Sequence, residues 1–333
     1  MTETDTPRIG IVIPAYEAED FIAAAIRSAL DQATPPAVVV VVDDGSPDGT
    51  VAAARATAKA VADAGDGGPS AGPEVLVLTG PNRGACHARN RGAEAAVAAG
   101  ATHLLFLDAD DVIEGDYLGA ATEAAADGAD ILLGRVVRRR DGETVHVREV
   151  APADLDPETA FAGWLTGPQI NPAGMVFRAG FLDRVGGWRE DVLINQDAEL
   201  VLRGLLLRPR MAAIPRGHGV YHLGHPSLSS RHSEAKLANY VGTLSRLLSS
   251  ADAAGFGART GGIEDTLYGV ARMSFRNGWT ETGRAALGVL RSRGDGRHRG
   301  NLVHRVAAGV LGLERKVRLF ERGGVSRRNS QAG

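Results

Sequence analysis

Five short apolar runs alternate with segments of helical length over the first 136 residues, and this alternation limits the possible folds more than any other feature. The runs are Arg8–Pro14, Ala37–Asp43, Glu74–Thr79, His103–Asp108 and Asp130–Val136. They are rich in β-branched residues and leucine and nearly continuous in apolar residues, so both faces of each strand are expected to be covered. The sequence therefore predicts an α/β domain with a parallel sheet between layers of helices.

Ligands of such sheets collect at the carboxyl ends of the strands, because the strand-to-helix loops converge there. The second run ends in "VVDDGSPDGT", where Ser46 and Pro47 have the residue types of a helix N-cap and first helical position. A carboxylate at Asp43 or Asp44 can accept hydrogen bonds from the N–H edge of a base or from ribose hydroxyls. A solvated turn is the alternative.

The next two strand ends carry opposite charges. After the third run, "PNRGACHARNRG" places Arg83, Arg89 and Arg91 around a helix start, which suits an anionic phosphate group. This signal is weak on its own in an arginine-rich chain.

The fourth run ends on three aspartates in "HLLFLDADDV": Asp108, Asp110 and Asp111. Crowded carboxylates repel one another unless a cation lies among them. Mg²⁺ or Mn²⁺ would take oxygen ligands from one or two of these carboxylates and from a diphosphate. The alternative is a helix N-cap with additional surface acids.

Taken together, "IPAYEAEDFI", "VVDDGSPDGT", "NRGACHARNRG" and "FLDADD" resemble, in order and spacing, the N-terminal half of family 2 glycosyltransferases. The resemblance implies the GT-A fold, a Rossmann-like mixed sheet flanked by helices that binds a nucleotide-diphospho-sugar. It also implies a DxD-type site for Mn²⁺ or Mg²⁺, and inversion at the anomeric carbon. Glu17 departs from the family pattern, which usually has asparagine at this position.

The same resemblance assigns residues to the donor site, with Asp44 on the base and Arg89 near the diphosphate. The nucleotide-sugar is expected to contact Pro14, Ala15, Tyr16, Glu17, Asp44, Arg89, Asp108, Ala109 and Asp110. The metal is expected on Asp108, Asp110, Asp111 and His225. His225 is included because a histidine before "PSLS" occurs in many family members, and His222 is the less favoured neighbour.

The stretch "VGGWREDVLINQDAEL" resembles the acceptor segment of the family, with Gln196-Asp197 where Glu-Asp is usual. Inversion requires a base on the sugar face opposite the leaving diphosphate. The resemblance assigns that base to Asp197, with Glu199 in reserve. The alternative is that Asp197 only favours the start of a helix. Residues 171–174 are expected to contact the donor sugar or the acceptor.

The predicted organisation is a catalytic domain at 1–232, divided into a nucleotide-sugar and metal half at 8–112 and an acceptor half at 113–232. A helical C-terminal extension at 233–320 lies outside the resemblance, with helices at 235–250, 262–276, 280–291 and 302–320. A disordered tail is expected at 321–333. From Arg291 onward there are eleven Lys/Arg and three Asp/Glu. The stretch 301–324 pairs an apolar face with basic residues, as a helix on anionic lipid or one packed on the core would.

Composition limits the class of protein. No apolar run reaches the roughly 18 to 20 residues that span a bilayer, and "MTETDTPR" lacks a secretion segment, which predicts a cytoplasmic protein. Contact with the inner face of the membrane remains open through the basic helix. The single Cys86 excludes an internal disulfide framework and a cysteine metal cage. A net charge of −3 gives no general attraction to nucleic acid, and an oligomer is compatible with the sequence.

The predicted function is metal-dependent, inverting hexosyl transfer from a nucleotide-diphosphate donor, with a UDP-sugar favoured, to an acceptor hydroxyl. The acceptor is a carbohydrate, a lipid-linked glycan or a small molecule, in the synthesis of a glycan, cell-surface polysaccharide or glycoconjugate. One alternative is a haloacid dehalogenase-type phosphatase, since "DADDV" fits its D-x-D-x-[TV] pattern, but that family carries the motif on its first strand. The other is a non-catalytic sugar-binding module on the same fold, which would be expected to have lost Asp110 or Asp197.

Overall fold

The computed structural model describes residues 6–64, 73–167, 170–224, 233–294 and 302–320. His225 and the predicted tail at 321–333 lie outside the described residues. The chain divides into two compact units. The first comprises Met1–Ala160, Pro168–Asp191 and Gln196–Pro226, and the second Phe161–Gly167, Val192–Asn195 and Ser227–Gly333. The first unit contains the sheets.

A seven-stranded mixed sheet forms the centre of the first unit. Its strands are β1 (Ile9–Ala15), β2 (Val38–Asp43), β3 (Glu74–Thr79), β4 (His103–Phe106), β6 (Ile131–Leu133), β9 (Met175–Arg178) and β10 (Met211–Ala213). Their order is β10-β6-β9-β4-β1-β2-β3. Strands β3, β2, β1 and β4 are parallel as predicted, whereas β9 runs antiparallel to both β4 and β6. The mixed sheet that the resemblance to the GT-A fold implied is confirmed. The prediction of a purely parallel sheet holds for β1 to β4 and is wrong for β9, which is antiparallel to its neighbours.

A second sheet of four strands lies in the same unit. It is formed by β5 (Val112–Glu114), β7 (Val136–Arg140), β8 (Glu143–Arg148) and β11 (His218–Leu223), in the order β5-β11-β7-β8. The predicted fifth strand at 130–136 is therefore wrong as one element, because β6 and β7 belong to different sheets. The chain turns between them at Gly134, where an added Cβ would lie 2.7 Å from the Tyr117 ring. Only glycine fits this close approach.

Helices cover the large sheet. They are α1 (Ile22–Leu30), α2 (Thr50–Ala64), α3 (Ala85–Ala98), α4 (Tyr117–Ala125), α6 (Ala179–Val185) and α7 (Gln196–Leu205), and a short α5 (Pro157–Gly163) follows β8. The core contains fully buried residues such as Ile11, Ile13, Val39 and Leu105. Burying apolar side chains on both strand faces is the main favourable contribution to stability.

The predicted N-cap at Ser46 is wrong, because α2 begins at Thr50. The Ser46 hydroxyl instead accepts a hydrogen bond from the Glu17 N–H at 3.1 Å. The Asp48 carboxylate accepts from the Thr50 N–H at 3.1 Å and from its hydroxyl at 2.6 Å, and so takes the place of the predicted cap.

The described part of the second unit is helical. Its helices are α8 (Glu234–Ala253), α9 (Gly261–Asn277), α10 (Thr280–Ser292), α11 (Leu302–Leu311) and α12 (Leu313–Phe320). The predicted helix at 302–320 is divided at Gly312, which has a φ of +77°. Among the described residues, no helix combines the length and apolarity needed to cross a bilayer.

Candidate active site

Two buried aspartates end β2 and organise the loops around them. The Asp43 carboxylate accepts hydrogen bonds from the Gly45 N–H at 3.2 Å and the Ser46 N–H at 3.3 Å. Asp44 accepts from the Arg83 N–H at 2.8 Å and the Gly84 N–H at 2.7 Å. The solvated-turn alternative is wrong, because both carboxylates are buried. Each oxygen of Asp44 has a further lone pair with which it can accept from a ligand.

The end of β1 lies beside these aspartates, since Ala15 pairs with Asp43 in the sheet register. Pro14 and Tyr16 are half-buried, and Ala15 is buried. Glu17 has a φ of +51°, a conformation that side chains other than glycine and asparagine rarely adopt. A hydrogen bond to the Glu17 carboxylate raises the pKa of the Tyr16 phenol. The four residues thus line the same sheet edge as Asp44.

The loop after β4 brings three carboxylates together. Asp108 is 29% exposed and accepts a hydrogen bond from the Arg89 guanidinium at 2.7 Å. Ala109 is buried, Asp110 is half-buried and Asp111 is only 1% exposed. One Asp111 oxygen accepts from the His222 N–H at 3.1 Å, and the other is buried without a hydrogen-bond partner. Burial first, and then the charges of Asp108 and Asp110, raise the pKa of Asp111 well above its ordinary value.

His222 contacts this loop directly, although the sequence favoured His225. The His222 ring nitrogen Nδ1 lies 2.8 Å from the Asp110 backbone oxygen and must carry the proton, because a carbonyl oxygen only accepts. Together with the backbone bond to Asp111, this contact fixes the loop against β11. His225 lies outside the described residues.

Arg89 lies beneath the carboxylates in α3. Its guanidinium contacts Asp108, donates to the Gln196 side-chain oxygen at 3.2 Å and stacks on the Trp188 ring at 4.5 Å. Arg91 donates instead to the Thr79 carbonyl at 2.9 Å, and the exposed Arg83 side chain lies 3.5 Å from Glu190. Of the three arginines, Arg89 is the one that compensates the acidic loop.

Asp197 and Glu199 lie in the first turn of α7 but have different surroundings. Burial raises the pKa of the half-buried Asp197 to about 6; the positive charge of Arg89 opposes this shift, and the negative charge of Asp108 adds to it. Glu199 is 4% exposed and accepts a two-pronged hydrogen bond from Arg203, at 2.9 and 2.8 Å. Glu199 is therefore held in an ion pair with Arg203, whereas the raised pKa of Asp197 brings its proton exchange close to neutral pH.

The turn before α7 is fastened to α3. Asn90 donates to the Trp188 carbonyl and accepts from the Trp188 N–H, both at 2.8 Å. Gly186 and Gly187 precede Trp188 with φ values of +85° and +62°, which glycine adopts readily. Sequence reasoning missed the roles of Asn90 and Gln196 and ranked His222 below His225. The only signal for Asn90 was its place between Arg89 and Arg91, and it did not indicate a partner.

Asn171 begins the turn before β9, and its side-chain oxygen is buried without a hydrogen-bond partner. Residues 172–174 are buried behind it. Gly174 packs against Val136 of the second sheet, with 2.5 Å between an added Cβ and a valine methyl group. This segment is therefore a close-packed support in the first unit.

The acidic loop offers carboxylate oxygens that would suit a divalent cation. Among the described residues, no three His, Cys, Asp or Glu side chains form a metal cage by themselves. Mg²⁺ bound to a nucleotide ordinarily takes only one or two protein carboxylates. Asp108 and Asp110 can supply these. The Asp108 and Asp110 charges add to burial in raising the pKa of Asp111, and a cation would relieve the repulsion within this loop.

Comparison with known proteins decides the family. Residues 10–185 match the model of glycosyl transferase family 2. The chain belongs to this family. The family assignment excludes the dehalogenase-type phosphatase.

Two related proteins show how far the sequence similarity extends. The uncharacterized glycosyltransferase YibD of Escherichia coli is 28% identical over 59% of this chain and 52% of its own length. The succinoglycan biosynthesis protein ExoO of Rhizobium meliloti is 30% identical over 67% of this chain and 63% of its own length. The chain thus spans just over half to under two thirds of these relatives.

Solved structures confirm the GT-A fold. TarS residues 1–349 of S. aureus superpose with a TM-score of 0.58 at 16% identity, covering 81% of this chain and 74% of that chain. The mannosyltransferase PcManGT from Pyrobaculum calidifontis, complexed with GDP-Man and Mn²⁺, gives 0.51 at 19% identity, covering 95% and 81%. At these identities the likeness concerns the fold alone.

Proposed function

We propose that this chain transfers a sugar from a nucleotide-diphosphate donor to an acceptor hydroxyl, with inversion at the anomeric carbon and with Mn²⁺ or Mg²⁺ as cofactor. The observation that carries the proposal is the placement of Arg89 among acidic groups from distant segments. It contacts Asp108 and Gln196, and its charge acts on Asp197. A binding module would not require a half-buried carboxylate with a pKa of about 6 next to the proposed donor site.

The donor site is proposed at the carboxyl ends of β1, β2 and β4. Asp44 would contact the base, and Pro14, Ala15, Tyr16 and Glu17 would line the nucleotide. A TarS structure with UDP-GlcNAc and the PcManGT structure with GDP-Man and Mn²⁺ support a nucleotide-sugar donor bound with a metal. UDP is the favoured nucleotide, with GDP as the comparison to test.

The metal is proposed on Asp110 with help from Asp108, and the expectations for Asp111 and His225 remain part of the proposal. The cation, when bound, offsets the charge that develops on the leaving diphosphate. Arg89 holds the Asp108 carboxylate in place from below, with its guanidinium 2.7 Å away. Asp111, held by the His222 N–H, lies in the same loop.

Asp197 is proposed as the general base. It would accept the proton of the acceptor hydroxyl while the acceptor oxygen bonds to the anomeric carbon and the bond to the diphosphate breaks. A carboxylate with a pKa of about 6 is ionised at neutral pH yet more basic than an ordinary aspartate. Glu199 is a poor substitute because Arg203 occupies both of its oxygens.

The acceptor is proposed to be a carbohydrate, lipid-linked glycan or small molecule in the synthesis of a cell-surface polysaccharide or related glycan. The name of ExoO, a succinoglycan biosynthesis protein, supports a polysaccharide product. We retain residues 1–232 as the proposed catalytic domain, 233–320 as its helical extension, and a cytoplasmic location.

Calorimetric titration of UDP, GDP and dTDP tests the donor site. Each nucleotide is added with Mn²⁺ and with EDTA, to the wild type, to Asp110→Ala and to Asp127→Ala as an exposed control. We expect one nucleotide to bind only with metal, with binding lost in Asp110→Ala and kept in Asp127→Ala. Absence of nucleotide binding under both conditions would contradict the proposal. Binding without transfer to any acceptor would favour the sugar-binding module.

A further inference from the structure

Helices α11 and α12 leave apolar side chains open to solvent. Val306, Val310 and Leu319 are 58, 79 and 68% exposed. In the part of the chain that the structure describes, these are the three most exposed large apolar residues. Single exposed apolar residues are ordinary, but three within fourteen positions, on two helices that contact each other, are a concentration that suggests a partner.

Arginines flank these side chains. On α11, Arg305, Val306 and Val310 share the solvent side, and Ala308 is buried on the other. On α12, Arg315 and Leu319 are one helical turn apart on the solvent side. We call these five residues, Arg305, Val306, Val310, Arg315 and Leu319, the α11–α12 surface.

The opposite sides of the same helices are anchored within the second unit. Leu313 and Val317 of α12 are buried, and α12 packs against α9. The core therefore already uses the inward faces, which leaves the α11–α12 surface as a separate feature.

Charge is segregated toward this end of the chain. Residues 291–333 contain 11 of the 37 Lys/Arg but 3 of the 40 Asp/Glu, in a protein of net charge −3. The acid within α12, Glu314, pairs with Arg284 at 3.1 Å and with Arg318 at 2.8 Å. These two arginines offset the charge of Glu314. Among the described residues, α11 and α12 contain no other carboxylate that could pair with Arg305 or Arg315.

We infer that the α11–α12 surface binds the headgroup layer of an anionic phospholipid bilayer. Valine and leucine enter the boundary with the acyl chains, and Arg305 and Arg315 contact lipid phosphates. Exposed apolar residues flanked by arginines match this interface, where one side is apolar and the other anionic. A second copy of the same surface is a poorer partner, because it would bring arginines toward arginines.

Vesicle co-sedimentation of the full chain tests the inference. Vesicles of phosphatidylglycerol with phosphatidylcholine are compared with pure phosphatidylcholine, at about 0.1 M and 0.5 M salt. We expect binding to anionic vesicles only, weakened by high salt. Val310→Asp should lower the partition coefficient at least about tenfold. Arg305→Gln with Arg315→Gln should lower it roughly 25-fold, since each interfacial arginine contributes about fivefold.

Two controls change exposed residues of the same kind elsewhere. Leu207→Asp matches Val310→Asp, and Arg55→Gln matches the arginine variants, and neither should alter vesicle binding. Circular dichroism verifies the folding of every variant. Failure to bind anionic vesicles, equal binding to neutral ones, or unchanged binding by Val310→Asp would overturn the inference. If Val310→Asp converts a dimer to a monomer and leaves vesicle binding intact, the surface is a dimer interface instead. None of these outcomes depends on glycosyl transfer.

Discussion

Replacement of Arg89 by methionine isolates the contribution of one buried charge. Methionine keeps an unbranched side chain but removes the guanidinium that stacks on Trp188 and leaves Asp108 without its 2.7 Å partner. Removing one member of a buried ion pair costs about 3 to 5 kcal/mol, and the 29% exposure of Asp108 reduces this to about 3 kcal/mol at pH 7.5. Domains of this kind have about 5 to 15 kcal/mol of stability, so the variant should still fold.

The loss of stability should depend on pH. Without Arg89, the folded-state pKa of Asp197 rises further above its unfolded value, because the positive charge that lowers it is gone. The folded state then binds more protons than the unfolded state between about pH 4 and pH 7, so stability falls as pH rises. Each pKa unit of this rise makes the deficit at pH 5 about 1.4 kcal/mol smaller than at pH 8.

Urea unfolding followed by circular dichroism at pH 5 and pH 8 measures both quantities. Arg83→Met is the matched control, because its side chain is 56% exposed and its ion pair with Glu190 is worth less than about 1 kcal/mol. A deficit of under about 1 kcal/mol for Arg89→Met, or one that is equal at both pH values, would refute the compensation of the acidic loop by Arg89.

Three further predictions concern the proposed base and the first loop. Asp197→Asn should lower kcat by about 10² to 10⁴-fold with little change in nucleotide affinity. Glu199→Gln should not show this selective loss of kcat, because it breaks the Arg203 ion pair and so lowers the stability of the fold. In wild type, kcat/KM should fall about tenfold per pH unit below about pH 6, as Asp197 gains the proton that blocks it, and this limb should be absent from the residual activity of Asp197→Asn. Glu17→Gly should stabilise the fold by about 0.5 to 1 kcal/mol in urea unfolding, because Glu17 has a φ of +51°, and a loss of stability would show that its side-chain contacts outweigh the strain.

The part of the fold that the sequence predicted is the part determined by local pattern. Strands β1 to β4 are short apolar runs, and they form the parallel part of the mixed sheet. The place of β9 between β4 and β6 depends on pairing with residues more than forty positions away, which no local pattern contains. The wrong N-cap at the start of α2 has the same cause. The Ser46 hydroxyl accepts a hydrogen bond from the distant Glu17 N–H, and Asp48 contacts Thr50 in its place.

The candidate site shows the same division. The motifs located the strand ends on which Asp44, Asp108 and Asp110 lie. They did not show that Asp111 faces inward, because that orientation depends on the His222 N–H more than a hundred residues later. One partner of Arg89 is similarly distant in sequence, since Gln196 lies on α7, 107 residues away.

The paired hydrogen bonds between Asn90 and Trp188 have a consequence for protein engineering. They join a helix of the first half of the catalytic region to the turn that leads into α7, and both bonds use the same amide group. If the segment after Asn90 were replaced by that of another family member, the Asn90 amide would face a different backbone turn, and both hydrogen bonds could be lost. Chimeras intended to alter acceptor choice should therefore carry Asn90 and the Gly186–Trp188 turn from the same parent.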